Sequence, residues 1–320
     1  MDLHILISNI TNPTLLFFIL GIIATIVKSD LEIPLTITKF ISLYLLFSIG
    51  FKGGQELAHS TFTVEIVYSL IFGLIIASLI PLYTFFLLKR RMTISDAGAV
   101  AAAYGSVSAV TFVAAVSFLE VQQITFGGHM VAVMALMESP AIIMGVILIM
   151  KFDDETRSDG KLSNIIKHSF TNGSVLMILG SLLIGLIADS KQAEGIKPFT
   201  TDIFKGFLAI FLLEMGMVTA KGFSAFKKYG WFAPAFAIII PFINGCSVAA
   251  LSGFIIHDAG NRFIFAILAA SASYIAVPAA MRLAAPKADP GLYIPMALGV
   301  TFPFNITVGM PFYYIIVQSI

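Results

Sequence analysis

The sequence predicts an all-α membrane protein of ten transmembrane helices, arranged as two inverted five-helix repeats in which helices four and nine are broken. Three observations carry this expectation. Of the 320 residues, 58% are hydrophobic and 12% are charged, whereas a soluble domain has roughly a quarter of its residues charged. The apolar residues come in runs of about 15 to 25 between short polar breaks, the length that lets a helix cross a hydrocarbon core of about 30 Å. Small-residue motifs of the first half recur in the second at an almost constant offset. Runs such as Val64–Leu88 do not alternate apolar with polar residues, which sets aside a transmembrane β-barrel.

In chain order the expected spans are Thr14–Val27, Thr38–Phe51, Val64–Leu88, Asp96–Leu119, Gly128–Met150, Ser174–Ala188, Thr201–Ala220, Trp231–Ile256, Arg262–Met281 and Leu292–Val317. The first is short and lacks a positively charged leader, so it reads as a retained helix rather than a cleaved signal. Five spans precede a polar cytoplasmic linker, residues 151–173, and five follow it. The first repeat is therefore expected over residues 1–150 and the second over 174–320, and an odd number of spans per repeat turns the second copy upside down. With the amino terminus outside, fourteen of the 19 Lys and Arg residues fall in inner loops, among them Lys89, Arg90, Arg91, Lys151, Lys227 and Lys228. The positive-inside bias then puts both termini outside.

The duplication is read from three matches. Gly21-Ile22-Ile23-Ala24 corresponds to Gly185-Leu186-Ile187-Ala188, and Gly50 to Gly216. Ser106-Val107-Ser108 with Ala114-Ala115 corresponds to Ser271-Ala272-Ser273 with Ala279-Ala280. All three lie at an offset of about 165 residues, the sign of an internal repeat. Where a lipid-facing helix would carry leucine, spans four and nine carry Tyr104-Gly105-Ser106-Val107-Ser108 and Ser271-Ala272-Ser273-Tyr274, the latter followed by Pro278. Such residues serve either close helix packing or an unwound break. If both helices unwind, two half-helix amino termini meet near the midplane, each with about half a positive charge and free N–H donors, which suits one small monovalent anion. The serine hydroxyls and Thr111 would bond its oxygens, and exposed carbonyls at the breaks would ligate a cation such as sodium.

Two carboxylates lie inside spans. Glu138, followed by Pro140, is the candidate for a cation or proton role, because an ionisable group in lipid is costly. For Glu214 a hydrogen-bonded structural role is the stronger expectation, and Asn244 and Asn305 read as interhelical hydrogen-bond donors and acceptors. Cys246 is the single cysteine and has no intrachain disulfide partner. The net charge of +1 gives no basis for nucleic-acid binding, and no His-Glu-x-x-His, Gly-x-Ser-x-Gly or phosphate-binding loop is present. The sequence points away from an enzyme and toward gradient-driven transport, or toward a non-transporting membrane sensor with the same fold.

The chain resembles the sodium-dependent bicarbonate transporter family of cyanobacteria and other bacteria. The resemblance rests on Arg282, Pro286, Ala288, Pro290, Tyr293 and Ile294, with Asp289 where Asn is familiar, and on Pro13-Thr14-Leu15, Ile49-Gly50-Phe51-Lys52-Gly53-Gly54, Gly105, Val107-Ser108, Thr111 and Gly216-Met217. It implies a core of spans three to five and eight to ten, a gate of the other spans, a homotrimer in the bacterial cytoplasmic membrane, and sodium-coupled bicarbonate uptake. Carried over, the anion would lie among Gly105, Ser106, Ser108, Thr111, Ser271 and Ser273, and the cation, Na+, among Glu138, Tyr274, Ser108 and Ser273. Where the family pattern reads Ser-Ser-Ser-Asp-Ile-Ser-Gly-Pro-Pro, this chain has Ser271-Ala272-Ser273-Tyr274-Ile275-Ala276-Val277-Pro278-Ala279. Tyr274 thus stands in the place of an acid, and a proton-coupled small organic-anion carrier is the alternative. The linker is short, and no regulatory partner is carried over from the family.

Overall fold

The computed structural model describes residues 12–153, 173–222 and 230–320; the linker expected at 151–173 lies outside them except at its two ends. Among the described residues the chain is helical throughout, with no strand. Its apolar helices are α1 (Pro13–Ile26), α2 (Leu35–His59), α3 (Val64–Leu88), α4 (Ile94–Gly105), α5 (Ala109–Val121), α6 (His129–Phe152), α7 (Gly173–Ile187), α8 (Phe204–Gly222), α9 (Phe232–Leu251), α10 (Ala259–Ala270) and α11 (Ala276–Ala284). A last helix, α12, runs from Pro290 to Ser319 through two π-helical stretches, Pro295–Thr301 and Asn305–Gly309. Among the described residues, seven helical segments are long and apolar enough to cross a membrane, with α4 and α5 counted as one; α1, α7 and α10 are shorter apolar helices. The chain is a multi-pass membrane protein.

Local chemistry sets the helix starts. Pro13 opens α1, where a missing N–H costs nothing, and Asn12 Oδ1 accepts the Thr14 amide at 3.0 Å. Thr93 caps α4 by accepting the Asp96 amide at 3.1 Å. Asp289 caps α12 by accepting the Gly291 amide at 2.8 Å, while its own amide donates to Asp96 Oδ1 at 2.8 Å. The Pro286–Pro290 motif therefore ties the start of α12 to the start of α4. One helix departs from expectation: α2 continues through Lys52, Gly53, Gly54, Gln55 and Glu56 to His59, beyond the apolar run that ends at Phe51. Packing sustains this extension, because Gln55 Nε2 donates to the carbonyls of Gly185 and Ala188 on the neighbouring chain segment.

The helices gather into two groups. In one, α1 packs on α8 and α2 on α7. Both crossings are backbone to backbone: a Cβ on Gly21 would overlap the Leu213 carbonyl, one on Gly216 the Phe18 carbonyl, and one on Gly185 the Phe51 carbonyl. In the other group, α3 packs with α4 and α6, and α9 with α10 and α12. The groups meet where α2 and α7 touch α6 and where α8 touches the first π-helical stretch of α12.

Candidate functional site at the crossing of two breaks

The sequence α4-Ser106-Val107-Ser108-α5 cannot continue as one helix, because Ser106 and Ser108 adopt extended backbone angles; Ser271, which ends α10, does the same. A break in a membrane helix strands N–H and C=O groups where water cannot reach them. Here each break satisfies the other. The Ser273 amide donates to the Ala103 carbonyl at 2.8 Å, and the Ser108 amide donates to Ser271 Oγ at 3.0 Å. Ser271 Oγ in turn donates to the Leu268 carbonyl at 2.9 Å. Asn305 of α12 donates to the Ala270 carbonyl at 2.7 Å and so caps the end of α10. The N-cap of α5 is Ser108, whose Oγ accepts the Thr111 amide at 3.2 Å.

Around this crossing lies a small cavity lined by Val107, Ser108, Ala109, Glu138, Ser174, Ser273, Tyr274 and Ile275. All four residues expected to hold the cation, Glu138, Tyr274, Ser108 and Ser273, therefore face one space. The room for a water-sized sphere is about 10 Å³, about enough for one water. The amino termini of α5 and α11 point into the same region with their positive ends. Glu138 and Tyr274 are half-buried, and the Tyr274 hydroxyl contacts Met215 Sδ of α8 at 3.9 Å, joining the two helix groups at the site.

The residues expected at the anion divide by position. Ser108 and Ser273 line the cavity. Ser271 is held between the breaks by its two hydrogen bonds. Ser106 is fully buried, and among the described residues its Oγ has no hydrogen-bond partner. Gly105 packs against the Pro81 ring of α3, where a Cβ would collide, and Thr111 is buried one turn into α5. Sequence reasoning missed Ser174, which α7 brings to the cavity from 66 positions along the chain; no local signal marks it.

A second, larger cavity of about 460 Å³ lies between α2 and the α5–α6 turn. Lys52, Glu56, Glu120, Thr125, Gly128 and Val131 line it, with Phe204 of α8. Glu120 pairs with Lys52 at 3.8 Å and with Lys205 at 3.0 Å, one lysine from each of two helices in the first group. Along α6, Glu138 is two turns from Val131, about 10 Å. The larger cavity thus ends a short distance from the crossing. Among the described residues no group of three or more His, Cys, Asp and Glu is arranged to hold a metal ion, so a cation at the crossing would be held by hydroxyl and carbonyl oxygens with the single carboxylate of Glu138.

Two interlocked helix breaks, a carboxylate at their crossing and the larger cavity beside them make up the candidate site. No curated protein matches the chain. A family model of the Na+-dependent bicarbonate transporter superfamily matches it from residue 13 to residue 318, and the chain belongs to that superfamily.

Proposed function

We propose that this chain is a secondary transporter that carries one small monovalent anion, bicarbonate in preference to larger carboxylates, together with one sodium ion. The observation that carries the proposal is the single cavity shared by Ser108, Ser273, Tyr274 and Glu138, set against the amino termini of two half-helices. In this arrangement the anion takes N–H and hydroxyl donors from the breaks. The cation takes the Glu138 carboxylate and neutral oxygens nearby.

Coupling follows from charge. A fixed carboxylate about 4 Å from a bound anion repels it by about 4 kcal/mol at an effective dielectric constant of about 20, close to a thousandfold in affinity. A cation between them removes the penalty, so anion and cation bind together. Tyr274, standing where the family pattern has an acid, leaves Glu138 as the one carboxylate on the cavity and favours a second reading in which the coupling ion is a proton carried by Glu138. Uptake of labelled bicarbonate into proteoliposomes, with an imposed sodium gradient, a proton gradient or neither, separates the two. Sodium-driven uptake supports the first reading, uptake driven only by protons supports the second, and binding without uptake under any gradient removes transport. Glu138→Gln should retain anion binding and lose its dependence on the coupling ion in either case.

The inverted repeat belongs to the same proposal, and the packing supports it. Under the equivalence of α1 with α7 and of α2 with α8, the contact of α1 with α8 maps onto that of α7 with α2, and both pairs cross at glycines. The ten-span count, outside termini and homotrimeric assembly are proposed with it. In that orientation the vestibule of Lys52, Glu56 and Glu120 opens outward.

A further inference from the structure

We propose that Glu120, held by Lys52 and Lys205, is a latch between the two helix groups that sets how much of the protein occupies the arrangement of this structure, and that it opens when the groups shift. The inference rests on the proposed transport, which needs the groups to move against each other. The half-helix α5 runs from Ala109 to Val121, about 20 Å, and packs on α10 in the second group. It starts beside Ser108, on the cavity at the crossing, and carries Glu120 at its far end. Glu120 Oε1 lies 3.8 Å from Lys52 Nζ of α2, and Oε2 lies 3.0 Å from Lys205 Nζ of α8. Each oxygen thus serves one lysine, and both lysines belong to helices of the first group. Latch and crossing are opposite ends of one half-helix, so a shift of the second group that carries the crossing by more than a few ångströms must also part the ion pairs.

Beside the pairs the groups touch through glycine. A Cβ on Gly128, which precedes α6, would overlap the Gly53 carbonyl of α2. Neither residue puts a side chain between the helices to fix their register, so a charge contact at this border has leverage over position. Lys52 and Glu120 are 36% exposed and Lys205 is 59% exposed, so water and salt reach the pairs and each alone is worth little. That suits a contact remade in every cycle: a buried pair strands a charge when it parts, whereas these groups are hydrated. Two such pairs together shift a population by about fivefold. Glu56 lies one turn beyond Lys52 and lines the same cavity. The charges therefore alternate through Lys205, Glu120, Lys52 and Glu56, and those four sum to zero. With no excess charge to draw a free ion of either sign, the cluster serves contact between the groups rather than ion capture.

The test reads the distance between the groups without substrate, in the full-length protein carrying Cys246→Ser. Gln192, between α7 and α8, and His257, between α9 and α10, are exposed. Nitroxides on Gln192→Cys and His257→Cys, read by pulsed electron paramagnetic resonance in lipid nanodiscs, give the population of each separation. Glu120→Gln should lower the population at the separation of this structure, relative to the others, by about fivefold. Glu120→Lys should lower it further, because three ammonium groups then meet, and Glu120→Asp, which keeps the charge, should stay nearest the unsubstituted protein. Potassium chloride at about 1 M, where the screening length is about 3 Å, should move the unsubstituted protein toward Glu120→Gln and leave Glu120→Gln itself unchanged. Distances that stay the same across the series, or that change without following charge and salt, would overturn the latch. A protein that follows the series but takes up no bicarbonate overturns transport and keeps the latch, whereas uptake with an unresponsive distance overturns the latch alone.

Discussion

Ser106 and Ser271 occupy equivalent places in the sequence, yet their hydroxyls have different environments. Ser271 Oγ accepts the buried Ser108 amide and donates to the Leu268 carbonyl, so Ser271→Ala strands a donor and should lower stability by about 1–3 kcal/mol, seen as a lower melting temperature in detergent without any ligand. Ser106 Oγ is buried and has no partner among the described residues, so Ser106→Ala should leave the unliganded melting temperature unchanged or raised. If Ser106 donates to the bound anion, the same substitution should reduce the stabilisation given by bicarbonate by about 1.5–3 kcal/mol, the range for a hydrogen bond to charge. A normal bicarbonate shift in Ser106→Ala would remove that residue from the site. The sequence marks both serines by residue type and spacing, but the choice between scaffold and ligand depends on which amide lies opposite, and that is set by tertiary contact. Ser174 shows the same limit: its place on the cavity comes from where α7 docks.

At the scale of helices, both breaks were legible because small polar residues in an apolar run leave a helix without side-chain packing. They fall at Ser106–Ser108 and beginning at Ser271, as expected. The extension of α2 to His59 was not legible. Lys52 and Glu56 look like the start of a loop when only lipid is considered, and they are helical where one side of α2 lines a cavity that holds their charged ends beside Glu120. The glycine crossings carry a second prediction. Gly21→Leu or Gly216→Leu would drive a side chain into opposing backbone and should cost about 3 kcal/mol, whereas Gly180→Ala or Gly206→Ala, which meet open space, should be neutral or stabilising by up to about 1 kcal/mol. Thermal melts of the four variants make the comparison, and equal losses would show that the close approach contributes nothing.

Across the whole molecule, the topology is testable by labelling with a membrane-impermeant thiol reagent in intact cells, after Cys246→Ser removes the single native thiol. Ser60→Cys and Ser319→Cys should label from outside and Asp30→Cys only after permeabilisation; the reverse pattern would invert the proposed orientation. Lys52→Cys with Glu120→Cys joins α2 of one helix group to α5 of the other across the vestibule. Bridged by a bifunctional methanethiosulfonate reagent, which spans the gap between the two side-chain positions, this pair should stop uptake while leaving anion binding measurable, and reduction should restore uptake. The mutual hydrogen bonds of the two breaks, Ser273 to Ala103 and Ser108 to Ser271, extend this point. Parting the breaks would expose both donors inside the bilayer, so under the proposed transport the crossing would stay intact through the cycle and no continuous water-filled path would form through it. Flux should therefore be counted in whole cycles: it saturates with concentration, stays orders of magnitude below that of a channel, and shows no unitary current steps in planar bilayers at any voltage.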